Sequence, residues 1–124
     1  MKKVAVIGAG SWGTALAVTL STKGHRVKIC DVNKEHVFNM KEHRENIKYL
    51  PGIKFNENLT VADSNRETIK DSDIVLFSAP AQHFRSAFES AKDYITEDMV
   101  VVNVAKGIEQ GTLLRMSEIA YSIM

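Results

Sequence analysis

Glycines at positions 8, 10 and 13 stand between a β-branched apolar run, Val4-Ala-Val-Ile7, and an Ala/Leu-rich run that begins at Thr14. The spacing G-x-G-x-x-G in a strand–turn–helix setting suits a backbone that must approach a pyrophosphate. Gly8 permits the tight turn, and Gly10 lets backbone N–H groups reach phosphate oxygens with no Cβ in the way. Gly13 lets the helix pack close against the strand. The helix start adds unpaired N–H groups and a partial positive charge. Alone, the spacing also fits an ordinary βα turn. A strand over 3–7 and a helix over 14–23 tip the balance to a dinucleotide site.

Two further residues could do chemistry beside that turn. Asp31 closes the alternating run Val27-Lys-Ile-Cys-Asp31 and falls 18 residues after Gly13. That is near the offset of about 20 at which a carboxylate meets a ribose 2′-hydroxyl. A carboxylate there accepts hydrogen bonds from the ribose and repels a 2′-phosphate, which argues for NAD over NADP. Val32 and Asn33 would flank the same ribose, and neither is a phosphate-binding arginine. The competing reading of Asp31 is a solvent-facing cap for a helix over 34–45. Lys106 lies just before Gly107 at the edge of a late strand. Its ammonium could hold a phosphate or polarise a substrate hydroxyl, or it could be a solvated loop lysine.

The remaining candidates carry less. His25, His36, His43 and His83 show no metal-like spacing, and the first three are read as solvated; no metal site is expected. The single cysteine, Cys30, cannot form an internal disulfide, which suits a reducing cytoplasm. It lies in an apolar strand and reads as a small buried hydrophobe rather than a reactive thiol.

The elements that must position these residues alternate. A charged helix over 34–45 has Val37, Met40 and Phe38 for its buried face. The stretch 44–58, with Tyr49-Leu-Pro-Gly52 at its centre, has no clear period and reads as a long loop. Leu59–Ala62 is a short strand, and Ser64 with Glu67 forms a capping box for a helix over 65–70. Ile74–Ala79 is continuously apolar, as a strand covered on both faces should be, and Pro80 stops it. Phe84, Ala87, Phe88, Ala91 and Ile95 fall at helical spacing. Met99–Val104 reads as a fifth buried strand, and Leu113, Met116, Ala120 and Ile123 suggest a last helix.

The fold class is therefore α/β, a doubly wound parallel sheet of Rossmann type with strand order 3-2-1-4-5. Ligands bind beyond the carboxyl ends of such strands, at the switch between strands 1 and 4. Gly8–Gly13, Ser78–His83 and Asn103–Gly107 converge there.

At 124 residues and 44 % hydrophobic, the chain reads as one domain, residues 1–124. A net charge of +1 with no basic stripe argues against nucleic acid or an anionic membrane as partner. No apolar run approaches the roughly 20 residues of a membrane span. The first residues are too short for a signal peptide before the glycine motif begins.

The chain resembles the bacterial NAD(P)-dependent glycerol-3-phosphate dehydrogenases. The resemblance rests on Gly8-Ala-Gly-Ser-Trp-Gly-Thr-Ala-Leu-Ala17, Glu45-Asn46 with Tyr49-Leu-Pro-Gly52, the step Ala79-Pro-Ala-Gln82, and Ala105-Lys-Gly-Ile-Glu109. It implies that Ser11 and Trp12 contact the cofactor through the glycine turn and that Asp31, Val32 and Asn33 select the adenosine ribose. It implies that Lys106 touches both cofactor and substrate, and that Tyr49 reaches the cofactor. The family reduces dihydroxyacetone phosphate to sn-glycerol 3-phosphate, a precursor of glycerophospholipids. It also has a helical C-terminal domain that supplies the proton-transfer lysine and the substrate phosphate pocket.

The expectation is thus a cytoplasmic enzyme's cofactor-binding domain, cut before its catalytic domain and holding no catalytic acid of its own. The full-length protein would be a homodimer. The fragment would bind NAD(H) weakly, be inactive alone, and expose apolar surface on its last helix and on the outer edge of the fifth strand. Two alternatives stay open: the same domain of another two-domain dehydrogenase, and a non-catalytic nucleotide-sensing module. The chain's end on Ser122-Ile-Met124, inside an apolar helical pattern, favours truncation over the latter.

Overall fold

The apolar run at the start of the chain becomes the central strand of the sheet. In this computed structural model, which describes residues 1–79 and 83–104, β1 (Lys3–Ile7) pairs in parallel with β2 (Arg26–Cys30) on one side and β6 (Ile74–Phe77) on the other. Beyond them lie β5 (Leu59–Val61) against β2 and β7 (Val100–Asn103) against β6. The order β5-β2-β1-β6-β7 is the expected 3-2-1-4-5 arrangement of parallel strands. In register, Val6 faces Ile29 across one ladder and Leu76 across the other, so the ends of β1, β2 and β6 lie level.

Alternate side chains of β1 leave on opposite faces and meet different helices. Val4 and Val6 join Val27, Ile29, Val37, Met40 and Leu59 in one core, packed with Ala17 of α1 (Ser11–Thr22) and α2 (Lys34–His43). Ala5 and Ile7 join Val75, Phe77 and Ile69 of α3 (Asn65–Ile69) in the second. That second core is completed by α4 (Phe84–Ala91), from which Phe84 and Phe88 stand 5.8 and 5.2 Å from the Phe77 ring. Burying each such side chain contributes about 1.5–3 kcal/mol. A 3-10 turn, Lys92–Tyr94, follows α4.

The structure corrects several expectations. The first helix starts at Ser11 rather than Thr14, because Gly10 is its extended N-cap. The helix α2 stops at His43, where Arg44 takes a left-handed conformation (φ 52°). Phe38 is exposed rather than buried, since Val37 and Met40 alone face the core. Residues 44–58 are not a structureless loop: β3 (Glu45–Asn46) and β4 (Leu50–Lys54) form an antiparallel hairpin. Its base is closed by the Phe55 N–H donating to the Arg44 carbonyl at 2.6 Å, and by the Arg44 guanidinium donating to the carbonyls of Asn56 and Leu59.

The last described strand also differs. Val100, Val101 and Val102 of β7 are 59 %, 40 % and 37 % exposed, so this is not a buried strand. Within the described residues β7 has a strand neighbour on one side only, and the aromatic side chains of α4 cluster with β6 residues. The Pro80–Gln82 step, Lys106 with Gly107, and the expected last helix lie outside the described residues.

Candidate dinucleotide-binding turn

The segment from Gly8 to Gly13 leaves the carboxyl end of β1 and turns into α1. Gly8 has φ +109°, a conformation that L side chains rarely adopt. A Cβ on Gly13 would overlap both Ser78 Oγ and the Gly8 carbonyl oxygen. Around Gly10, by contrast, a Cβ would find nothing within 4 Å. Two of the glycines are therefore demanded by the fold. The third leaves room beside a helix start, where the N–H groups of Ser11, Trp12 and Gly13 have no intrahelical acceptor.

The two peptides on either side of Ala9 are held by side chains from other elements. The Ser78 hydroxyl, just past β6, donates to the Gly8 carbonyl at 2.8 Å. Asp31 Oδ1, just past β2, accepts from the Ala9 N–H at 2.9 Å. The Ala9 carbonyl meets His36 Nε2 of α2 at 2.9 Å and accepts from Asn46 Nδ2 of β3 at 3.0 Å. A carbonyl only accepts, so His36 carries hydrogen on Nε2. The Asn46 amide also donates to Thr14 Oγ1 at 2.7 Å, and its Oδ1 accepts from the Tyr49 N–H at 3.1 Å. His36 and Tyr49 pack edge to face, with ring centroids 5.3 Å apart.

The candidate residues named from sequence fall as follows. Gly8, Gly10, Ser11, Trp12, Gly13 and Asp31 are brought together at this end of the sheet. Trp12 is 61 % exposed on the first turn of α1. Asp31 does not cap α2; that role belongs to Asn33, whose Oδ1 accepts from the His36 N–H at 3.1 Å. Asp31 Oδ2 accepts from the Asn33 N–H at 3.1 Å, which shapes the bend into α2. Val32 projects from that bend at 94 % exposure. Lys106 lies outside the described residues.

Three residues of this constellation escaped sequence reasoning. His36 is not solvated but buried, because α2 lies across the glycine turn. Asn46 is fully buried with its polar atoms satisfied. Ser78 was legible only as part of a converging segment. The signal for Asn46 was its place three residues before Tyr49, where a side-chain carbonyl can take up a backbone N–H.

Cys30, at the end of β2, is buried, and its thiol donates to Asn65 Oδ1 at 3.2 Å. Burial pushes the thiol up to about 11. Among the described residues no group of three His, Cys, Asp and Glu side chains is placed to hold a metal ion. No helix among them is long and apolar enough to cross a membrane.

A family model described as NAD-dependent glycerol-3-phosphate dehydrogenase N-terminus matches residues 3–124. A glycerol-3-phosphate dehydrogenase [NAD(P)+] of Agathobacter rectalis is 38 % identical over 122 residues, 98 % of this chain and 36 % of that protein. Its counterpart in Chlorobium phaeobacteroides is 41 % identical over 122 residues, 98 % of this chain and 37 % of that protein. The crystal structure of glycerol-3-phosphate dehydrogenase from Coxiella burnetii superimposes with a TM-score of 0.91 at 29 % identity, covering 98 % of this chain and 37 % of that one. The chain thus spans little more than a third of the relatives it matches.

Proposed function

Because the chain belongs to the family of N-terminal domains of NAD-dependent glycerol-3-phosphate dehydrogenase, we propose that it is the cofactor-binding part of an enzyme reducing dihydroxyacetone phosphate to sn-glycerol 3-phosphate. The carrying observation is the pairing of the open space at Gly10 with the Asp31 carboxylate, which bonds the N–H of the preceding residue, Ala9. The residues fit a dinucleotide. Gly10, Ser11, Trp12 and Gly13 would present N–H groups to the pyrophosphate, with the helix dipole behind them. Asp31, Val32 and Asn33 would bound the adenosine ribose, and the negative charge of Asp31 favours NAD over NADP.

When bound, the reduced nicotinamide supplies a hydride to the substrate's C2 carbonyl. The chain's own residues orient the cofactor and hold its phosphates; in this reading they include no catalytic acid. Lys106 would contact both cofactor and substrate, a role that rests on the Ala105–Glu109 resemblance. Proton transfer and the substrate phosphate pocket would belong to a further domain. A cytoplasmic homodimer feeding glycerophospholipid synthesis is part of the same proposal.

Calorimetry of NADH and NADPH binding, repeated with Asp31→Ala, tests it. NADH should bind more tightly than NADPH. The variant should lose that preference together with roughly 1–3 kcal/mol of NADH affinity. Equal binding of both nucleotides by the unsubstituted chain would remove Asp31 as the ribose selector. No binding of either at millimolar concentration would overturn the site.

A further inference from the structure

We propose that His36 and Asn46 are positioning residues for the cofactor's pyrophosphate: by holding the Ala9 carbonyl inward, they aim the Gly10 N–H outward. The inference rests on the dinucleotide reading above and extends it to two side chains that would touch no cofactor atom.

A planar trans peptide points its C=O and N–H in opposite directions, and the described residues contain no cis bond. In the peptide joining Gly8 to Ala9, the carbonyl takes the Ser78 hydroxyl and the N–H donates to Asp31. In the peptide joining Ala9 to Gly10, the carbonyl takes both His36 Nε2 and Asn46 Nδ2. The N–H of Gly10 must then leave on the opposite side, at the residue where a Cβ would meet nothing. Two donors on one carbonyl oxygen fill both of its lone-pair directions. That leaves the peptide plane no second orientation that keeps its bonds.

Asn46 adds a link that packing alone would not require. Its amide also reaches Thr14 Oγ1 in the second turn of α1, and its carbonyl takes the Tyr49 N–H. The glycine turn, the helix start and the tip of the β3–β4 hairpin therefore share one buried side chain. His36 carries the same coupling through its edge contact with Tyr49. A fully buried asparagine is costly unless every polar atom is paired, and here each has a partner.

The test is NADH affinity of the 124-residue chain carrying His36→Asn, His36→Gln or Asn46→Asp. A glutamine amide nitrogen can occupy the position of His36 Nε2, whereas the shorter asparagine cannot. His36→Asn should weaken NADH about tenfold or more, the share of one lost hydrogen bond. His36→Gln should restore binding to within about threefold of the unsubstituted chain. Asn46→Asp, which sets a carboxylate oxygen against the Ala9 carbonyl, should weaken it at least as much as His36→Asn. Phe88→Leu, in the core on the opposite face of the sheet, controls for stability and should lower Tm with NADH affinity unchanged.

A chain that binds NADH while His36→Asn and Asn46→Asp bind it equally well overturns the inference and leaves the cofactor site standing. A chain that binds no NADH overturns the site, and the inference with it. If the variants do not fold, the unsubstituted chain decides. NADH should shift the resonances of the Gly10 N–H and the Asn46 side-chain amide, and unshifted signals at saturation overturn the inference.

Discussion

Gly13 and Ser78 compete for one volume: the Cβ that Gly13 lacks would fall on Ser78 Oγ, whose hydroxyl bonds the Gly8 carbonyl. The first helix and the fourth strand of the parallel sheet are thereby fitted against each other through the absence of a methyl group. The helix cannot start where it does with any larger residue at 13.

This separates two glycines that the motif treats alike. Gly13→Ala should destabilise the fold by roughly 1–3 kcal/mol through overpacking, read as a Tm lower by several degrees. Gly10→Ala has open space and should cost no more than about 1 kcal/mol at the helix N-cap. If the turn holds a dinucleotide as proposed, that substitution should nevertheless weaken NADH, because its methyl would enter the space left open for the pyrophosphate. Thermal melts and calorimetry on both variants check the split. Equal Tm losses would show that Gly10 is also demanded by the fold.

Cys30 should be inert in the native chain. Its thiol is buried, donates to Asn65 and is raised to about 11 by that burial. Because the folded value lies above the ordinary thiol value, the stability tied to the protonated form is intact below pH 9. It is lost as pH rises from 9 towards 11. Labelling by a thiol reagent at pH 8 should follow global unfolding rather than the reagent concentration. Rapid stoichiometric labelling of folded protein would contradict the burial.

The hairpin should respond to acid. Glu45 accepts from the Gly52 N–H at 2.9 Å and lies 3.3 Å from Lys54 Nζ. First that backbone bond, and then Lys54, hold its carboxyl below the ordinary carboxylate value. A depressed carboxyl stabilises above its unfolded value and loses that contribution as pH falls through the folded one. Protection of the Gly52 amide, the ratio of intrinsic to observed exchange rate at each pH, should therefore fall at acid pH, and Glu45→Gln should remove most of that dependence. Protection at Gly52 that does not change with acid would show that the carboxylate does not hold the turn.

What the sequence made legible follows from which physics is local. The β1–α1 turn announced itself because glycine spacing is a backbone requirement carried by consecutive residues. The order of the five parallel strands followed from alternation and from the unbroken apolar runs of β1 and β6. The hairpin was hidden because β3 has two residues and β4 carries Pro51 and Gly52 with largely exposed side chains. Neither strand shows a period to read. His36 was misjudged because the face of α2 that meets the glycine turn is polar, and a polar position reads as solvated until its partner, Ala9, is known. The valines of β7 read as a buried strand for the converse reason, since such a run states a preference for strand and not which strand face is covered, although the apolar exposure expected along its outer edge is present.

The pairing of β1 with β6 has a consequence for biosynthesis. Lys3 and Asp73 meet through both a backbone and a side-chain hydrogen bond, and Ser78 closes the turn at Gly8, 70 residues away along the chain. On the ribosome, β1, β2 and β5 can assemble as soon as residue 61 has emerged. The glycine turn must wait for residue 78. Until then the central strand keeps one edge unpaired, open to another nascent chain or to a chaperone. The glycine turn is thus the last part of this half of the sheet to mature, though it is encoded first.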